Sequence, residues 1–525
     1  MTASNDLFDL IRALTKSEKR YFRMAATRHS RNRVNKYVHL FDLIDRCESY
    51  EEEAIREQFA ARFGEKHFAE AKYYLYNSIL KALHAYEADN HDEVRLTIML
   101  HQARILSRKN LVRQSAKLQR KVYEEAVAKE LWPVAVRALQ LESNTLLFEG
   151  PGAQAKIEQL LRNVSRHGAT WMETLRYWET WTRTLFLRRT VGNPRSPEQF
   201  KAYEDVMHAG AVHHPNPPST STAQYYDANT RAIYQHIRSD FTGELETYRS
   251  LIQQIMASDP HTNDIIPPLY SMCIACALAD DVESFNHYHA LLLMYSESQP
   301  GTLQYRIHIQ ALALGAEFLA EQGEFHQALK EADKLERALE AHGEALETGI
   351  AACVYLSLSK IHMGLGSYGC SIDYVNMTLA LKNEGIPTAM YMRARLYQII
   401  FHFELGNFDL LESLLRSTHR FMTSNGCEYG TERIALAFIR RALRTGLGAD
   451  RRQLFRDFLD ELTPLKSDPC ENRLDYFWLL TRWLESHITG EPYAEVVYRR
   501  FRTRCIRNSS YNALLSNLKP ESQTH

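Results

Sequence analysis

A glycine recurs about every forty residues through the C-terminal half of the chain. Five similar segments carry it: AEQGEFHQAL (320–329), GLGSYGCSID (364–373), ELGNFDLLES (404–413), RTGLGADRRQ (444–453) and HITGEPYAEV (487–496). Their glycines are 43, 40, 40 and 44 residues apart, and weaker echoes lie upstream at 108–117, 149–158, 239–248 and 279–288. Each glycine stands between two amphipathic stretches. This pattern predicts stacked units, because one such unit cannot bury its apolar face alone.

One of these segments also fits the spelling of a phosphate-binding loop. GLGSYG matches G-x-G-x-x-G, and Glu384 follows about twenty residues on. A phosphate loop needs a strand before it, whereas the preceding YLSLSKIHM has its larger residues at helical spacing. We therefore predict that the glycines form left-handed turns between helices. The aromatic residues two positions after them, Phe325, Tyr368 and Phe408, are expected to pack into the helix pairs.

The segments EQGEFHQAL and ELGNFDLLE resemble the turn of tetratricopeptide repeat proteins. The resemblance is clear over 310–420 and looser over 95–500. The chain departs from that family in its period, near 42 rather than about 34 residues, and in its poorly kept small residues, of which only Ala328 matches well. The resemblance implies a solenoid of about ten longer, tetratricopeptide-like hairpins. LTKSEKRYF and YYLYNSILKAL also resemble a family of uncharacterised bacterial helical-repeat proteins, which implies no activity.

The N-terminal region lacks helix breakers. All sixteen prolines lie at or beyond Pro133, and Gly64 is the one glycine before it. Both residue types disfavour helix interiors, so nearly continuous helices are expected near 5–14, 15–28, 35–48, 51–63 and 67–88. Helix starts are predicted at capping boxes or N-terminal prolines, in Thr15–Glu18, Ser49–Glu52, Ser196–Gln199 and Asp468–Glu471. Without convincing strand patterns, the chain is predicted to be all-α.

This reading gives a domain organisation. We expect a non-repeat helical domain over 1–93, in which the order of helices loosely suggests a helix-turn-helix. The first part of the repeat array follows over 94–212, a Pro/Ser/Thr-rich loop or linker over 213–222, the main array over 223–508 and a flexible tail over 509–525.

Three basic clusters stand out against a nearly neutral background of 63 Lys and Arg and 64 Asp and Glu. They lie at 12–36, 95–123 and 499–507. In the first cluster Lys16, Arg20 and Arg23 share one helical face that suits a phosphate backbone. The candidate residues for binding nucleic acid or an acidic partner are Lys16, Lys19, Arg20, Arg23, Lys72 and Lys81. Solvated surface is the favoured explanation for all three clusters.

Neither catalysis nor a cofactor is indicated. Cys273 and Cys276 spell CxxC without a second pair, so we expect small buried hydrophobes rather than a metal site. Trp171 and Trp178, at helical spacing, are expected in the core. The N-terminus lacks a signal-peptide pattern, and eight scattered cysteines fit reduced thiols, so a cytoplasmic protein is expected.

The sequence therefore predicts a non-catalytic scaffold that binds a protein or peptide in the groove of its repeats, without cofactor, metal or membrane. The alternative is a nucleic-acid-binding regulator, with DNA bound by the N-terminal helices and the repeats sensing or dimerising.

Overall fold

A computed structural model describes residues 5–27, 35–47, 50–147, 151–210, 217–258, 263–298, 301–343, 346–445, 451–468, 470–471 and 474–518. These residues form α-helices joined by 3₁₀ turns and short loops, with no strand among them. The predicted all-α class is confirmed. No helix in this part of the chain has the length and apolar character needed to cross a membrane.

The chain forms two compact units. The first comprises residues 1–176 with 217–224, and the second comprises 177–216 with 225–525. The domain boundaries expected at 93, 212, 222 and 508 stay predictions. Helix continues to Leu518, into the expected tail, and the expected loop over 213–222 is described from residue 217 onward.

Eight helices lie wholly in the first unit: α1 (Asp6–Ala13), α2 (Lys16–Thr27), α3 (Lys36–Arg46), α4 (Glu52–Phe63), α5 (Phe68–Asn90), α6 (Asp92–Arg108), α7 (Val112–Ala128) and α8 (Trp132–Leu146). Two helices belong partly to each unit: α9 (Gln154–Thr190) and α11 (Ser221–Ile237).

The other helices lie in the second unit: α10 (Pro197–Ala209), α12 (Phe241–Ser258), α13 (Ile266–Leu278), α14 (Val282–Glu297), α15 (Gly301–Glu321), α16 (Phe325–His342), α17 (Thr348–Gly364), α18 (Tyr368–Ala380), α19 (Thr388–Glu404), α20 (Phe408–Asn425), α21 (Gly430–Thr445), α22 (Arg451–Leu462), α23 (Asp475–Thr489) and α24 (Tyr493–Leu518).

Local sequence signals explain several helix starts. The Thr15 amide donates to Glu18 Oε2 at 2.7 Å, and the Glu18 amide donates to Thr15 Oγ1 at 3.2 Å, so the predicted capping box is confirmed. Ser196 caps α10 ahead of a proline in its first turn, also as predicted. The expected start at Ser49–Glu52 lies partly outside the described residues. The five expected N-terminal helices correspond to α1–α5, which enclose a core around Phe41 and Phe59.

One backbone turn recurs between consecutive helices. A residue with positive φ ends the first helix, and the amide of the next residue donates to the carbonyl five positions earlier, the hydrogen bond of a Schellman motif. The positive-φ residues of this turn are Asn110, Glu130, Ser239, Asp280, Gly323, Gly366, Gly406 and Gly426. The left-handed conformation predicted for Gly323, Gly366, Gly406 and Gly490 is confirmed, whereas Gly446 lies outside the described residues.

The second unit stacks helical hairpins. It contains the helix pairs α13/α14, α15/α16, α17/α18, α19/α20 and α21/α22, in which the earlier helix is called the first helix and the later one the second. Each first helix packs on its second helix, and the first helices from α13 to α21 pack one on the next. The chain is therefore a tetratricopeptide-like helical-repeat protein, as the resemblance implied. The number of units and a fixed period stay predictions.

The last two helices fold back across the hairpins of the second unit. Val497 of α24 is buried in the core that contains Phe325 and Ala328. A Cβ on Gly323 would lie 2.5 Å from the Tyr498 backbone nitrogen, so only glycine permits this approach. Farther along α24, Arg504 pairs with Asp280 at 3.3 Å. The C-terminal helix is thus fixed to the turns that precede α14 and α16.

Three local expectations are wrong. No helix begins at Asp468–Glu471. Instead Asp468 Oδ1 accepts the Cys470 amide at 2.8 Å, and α23 begins at Asp475. Phe325 is buried and Tyr368 packs on a core, but Phe408 is 37% exposed because its ring only flanks Phe403. Trp171 and Trp178 are 37% and 45% exposed and do not lie in the core.

The three glycines of GLGSYG supply a test of the turn. Gly366 has φ 74° and open space for a Cβ, so Gly366→Ala should destabilise by about 1–2 kcal/mol through backbone strain alone. Gly369 lies in α18 with the same open space, so Gly369→Ala should stabilise by about 0.5–1 kcal/mol. In Gly364→Ala the new Cβ would lie 2.0 Å from the Phe325 ring and should destabilise most. Urea unfolding of the three variants checks this order, and a neutral Gly366→Ala would contradict it.

Candidate ligand-binding surface

Three first helices of the second unit, α13, α15 and α21, leave one face exposed or partly exposed, whereas the same register of α17 and α19 holds the buried residues Ser357, Lys360, Tyr397 and Ile400. Positions spaced i, i+4, i+7 and i+11 share a helical face. On three first helices such positions are exposed or partly exposed: Pro267, Ser271, Ile274 and Leu278 of α13, Gln310, Leu314, Glu317 and Glu321 of α15, and Arg433, Ala437, Arg440 and Arg444 of α21. We call these residues, with Ser357 and Lys360 at the same register of α17, the first-helix face.

A network of opposite charges occupies the middle of this face. Lys360 Nζ lies 2.6 Å from Glu317 Oε1 and 3.3 Å from Glu321 Oε1. On α23, Arg482 Nη1 lies 2.7 Å from Glu321 Oε2. The Ser357 hydroxyl donates to Glu317 at 2.8 Å. Two acids and two bases balance, so the network holds α15, α17 and α23 together without net charge.

The two carboxylates stay ionised although neighbouring helices enclose them. Burial acts to raise the pKa of Glu321, but the charges of Arg482 and Lys360 outweigh it and lower that pKa well below its usual range. The pKa of Glu317 is lowered in the same way by Lys360 against the effect of burial. Each carboxylate side chain remains 34% exposed, whereas Lys360 and Arg482 are 9% and 8% exposed. The acids are therefore the more exposed partners of the network.

A second charged cluster fixes the start of α21. The Arg195 guanidinium binds Glu432 through two hydrogen bonds, of 2.7 and 3.0 Å, and lies 3.1 Å from Glu471 Oε2. The Tyr476 hydroxyl donates to Glu432. These side chains are buried, and the carboxylates raise the pKa of Arg195 against the effect of burial, so the guanidinium stays charged. The loop before α10 is thereby fixed to α21 and α23.

Glu471 also caps α21. Its carboxylate accepts the amides of Gly430 and Thr431 at 2.8 and 3.2 Å and the Thr431 hydroxyl at 2.6 Å. These are the unsatisfied donors at the start of a helix, and negative charge is favourable there. The glutamate expected to cap a helix of its own thus caps the first turn of α21.

The six basic residues predicted from the sequence divide into two groups. Lys19 pairs with Asp45 at 2.6 Å, Arg23 pairs with both Asp42 and Asp45, and Lys72 pairs with Glu52 at 2.9 Å. These three side chains are partly buried against α3 and α4. The others are exposed: Lys16, Arg20 and Lys81. Three of the six candidate residues therefore form ion pairs within the first unit. A role of the six residues in binding stays a prediction.

The expected helix-turn-helix segment has a suitable turn. Between α4 and α5 the chain passes through Gly64, at φ 84°, and a 3₁₀ turn over Glu65–His67. Tyr73 on α5 is 72% exposed, while the Asn77 side-chain amide donates to the Tyr73 carbonyl at 2.8 Å. Lys81 on the same helix is exposed as well, and nucleic-acid binding by this segment stays a prediction.

The described cysteines and histidines do not group into a metal-binding site. Cys273 and Cys276 are fully buried, as predicted, and burial raises the pKa of Cys276 to about 12. His289 Nε2 lies 2.8 Å from the Ala311 carbonyl, and its ring stacks on Phe285. Within the described ranges no three His, Cys, Asp or Glu residues are grouped to hold a metal ion. His213 and His214 lie outside those ranges.

Comparison with known proteins finds fold-level likenesses. No protein-family model matches the chain, and no curated protein matches it. Among solved structures, the chain is similar to a Rap protein complexed with competence and sporulation factor, at 14% identity over 80% of this chain and 99% of that chain, with a TM-score of 0.41. It is also similar to the apo quorum sensor NprR from B. thuringiensis, at 13% identity over 73% and 99%, with a TM-score of 0.41. At these values no property of those proteins carries over to this chain.

Acidification tests the charged network. Because the folded pKa of Glu321 is depressed, its contribution to stability is present above the ordinary glutamate range and is lost as pH falls through the folded value. Glu321→Gln should destabilise by about 1–3 kcal/mol at neutral pH, and the difference from wild type should shrink below about pH 4. The control is Glu331→Gln, which removes one partner of the surface ion pair between Glu331 and Lys334. Urea unfolding at several pH values checks this, and a pH-independent difference would contradict it.

Nucleic-acid binding is tested with the full chain. Since Lys19, Arg23 and Lys72 are paired, we expect no measurable binding of mixed-sequence DNA or RNA even at low salt. The variant K16Q/R20Q/K81Q removes the exposed candidates, and K109Q/R113Q/K117Q, exposed residues of the same unit, is its charge-matched control. Micromolar binding that the first variant alone abolishes, with the salt slope reduced by roughly one per lost contact, would establish the alternative function.

Proposed function

We propose that the chain is a non-catalytic helical-repeat protein that binds a peptide, or an extended segment of another protein, along the first-helix face. The carrying observation is the network of Glu317, Glu321, Lys360 and Arg482. It places two ionised carboxylates, each 34% exposed, on α15, which packs against α13, α14, α16 and α17.

A pre-positioned polar surface supports binding. The carboxylates are held by hydrogen bonds to Lys360, Ser357 and Arg482, so they need little ordering when a ligand arrives. Backbone amides of an extended peptide are unpaired donors, and ionised carboxylates are strong acceptors for them. The first-helix face also carries half-buried Leu314 and Ile274 and exposed Leu278. These side chains supply apolar contacts beside the charges.

Neighbouring first helices with the same open register favour an elongated ligand. Helices α13 and α15 pack on each other and leave this register exposed or partly exposed, whereas Ser357, Lys360, Tyr397 and Ile400 at the same register of α17 and α19 are buried. Arrays of stacked hairpins commonly offer extended binding surfaces. Assignment of peptide binding from the architecture alone would be analogy, so the proposal depends on the named side chains. Action in the cytoplasm is part of the proposal.

The test uses a display library of random short peptides, selected on the full-length protein. Peptides that bind wild type should lose at least about tenfold in affinity in Gln310→Arg or in Ala437→Trp, which obstruct the α15 part and the α21 part of the face. Gln327→Arg, on the exposed side of the second helix α16, is the matched control and should bind as wild type does. Fluorescence anisotropy measures the affinities, and circular dichroism confirms that each variant folds.

Two outcomes contradict the proposal. One is a selection that enriches no peptide above background. The other is a set of enriched peptides whose affinities are unchanged in both face variants, which would place binding elsewhere on the chain.

A further inference from the structure

Helix α21 presents three arginines on one side. Arg433, Arg440 and Arg444 occupy a single helical face with exposed Ala437 among them. Leu436 and Ile439, on the opposite side, are 2% exposed and belong to the core. The small side chain of Ala437 leaves room between the guanidinium groups for part of a ligand.

These arginines differ from several other basic side chains that the fold pairs with carboxylates. Lys19, Arg23 and Lys72 are paired with carboxylates in the first unit. At the C-terminal cluster, Arg499 and Arg500 pair with Glu485 and Arg504 pairs with Asp280. Across the part of the chain that the structure describes, Arg433 and Arg440 form no ion pair.

The acids nearest in sequence do not cancel this charge. Glu432 is 1% exposed and binds Arg195 through both oxygens, and Glu461 of α22 pairs with Arg441 on another side of α21. The first turn of α21 is held by Glu471. The positive face is therefore both uncompensated and fixed in position, which favours a charged ligand.

We infer that the α21 arginine face, Arg433, Arg440 and Arg444, binds an acidic segment of the peptide ligand. This inference rests on the proposed function and adds the charge of its ligand. Arginine suits a carboxylate because its planar fork donates two parallel hydrogen bonds. The exposed part of α15 carries the carboxylates of Glu317 and Glu321, so the acidic part of the ligand is assigned to α21 and not to α15.

A peptide fits this charge distribution better than a nucleic acid. A polyanion lying along the whole face would meet the exposed carboxylates of Glu317 and Glu321, and like charges in contact are unfavourable. A peptide with acidic residues toward one end avoids that repulsion. The charge difference between α15 and α21 is thus the observation that selects the ligand class.

The experiment compares two charge-matched double variants of the full chain. R433Q/R440Q removes two face arginines, and R452Q/R456Q removes two exposed arginines of the adjacent helix α22. The probes are peptides selected on wild type, each also synthesised with its Asp and Glu changed to Asn and Gln. We expect selected peptides to contain acidic residues and to weaken about tenfold or more in R433Q/R440Q, while the α22 variant changes them little. The neutralised peptides should bind both variants and wild type equally weakly.

Each alternative result is informative. Selected peptides that lack acidic residues, or that bind R433Q/R440Q as wild type does, overturn the arginine assignment while the proposed function stands. Equal weakening in both double variants indicates unspecific attraction and also overturns it. Duplex DNA that binds as tightly as the peptides and is lost in R433Q/R440Q replaces the peptide with a nucleic acid. If no peptide is selected at all, the proposed function and this inference fail together.

Discussion

A single backbone conformation, one residue with positive φ at the end of each of the first helices α13, α15, α17 and α19, governs the geometry of their hairpins. It lets the next amide donate to the carbonyl five positions earlier, so that the chain leaves one helix and enters the next with its terminal carbonyls satisfied. The turn also sets the register of the first helix. Residues counted back from Gly323 place Glu317 and Glu321 on the open face, and the same count from Gly366 places Lys360 beside them. The charged network is therefore a consequence of where the turns fall.

The turn was predictable where glycine supplies it and hard to recognise elsewhere. Gly323, Gly366 and Gly406 mark three hairpins openly, because glycine adopts positive φ at little cost. Glu130 and Asp280 adopt the same conformation at a cost of about 1–2 kcal/mol. Their side chains offer a compensation: Glu130 accepts the Ser221 amide at 2.9 Å, and Asp280 pairs with Arg504. The sequence pattern alone does not reveal such partners, and at Glu130 no turn was predicted.

Long-range charge pairing explains why the site was less predictable than the fold. Helices arise from local signals such as the Thr15 capping box, which two neighbouring residues complete. Lys360 and Glu317 are 43 residues apart, Arg482 and Glu321 are 161 apart, and Arg195 and Glu432 are 237 apart. Composition and spacing locate a basic cluster but not the acids that fold against it. Lys19 and Arg23 therefore looked available in the sequence, although Asp42 and Asp45 on α3 are their partners.

The near-neutral charge of the chain makes local imbalance the basis of recognition. With 63 basic and 64 acidic residues, the protein as a whole exerts little attraction on a charged partner. Selectivity must then come from places where charges are fixed but not cancelled. Lys360 of α17 and Arg482 of α23 are buried cations that balance Glu317 and Glu321 of α15. The carboxylates of α15 are therefore acceptors within a network without net charge. On α21 the fold uses Glu432 and Glu471 to hold Arg195 and leaves Arg433 and Arg440 to solvent. A ligand that binds α21 must therefore supply the negative charge that the fold does not place there, and that requirement makes the ligand's own charge pattern the source of selectivity.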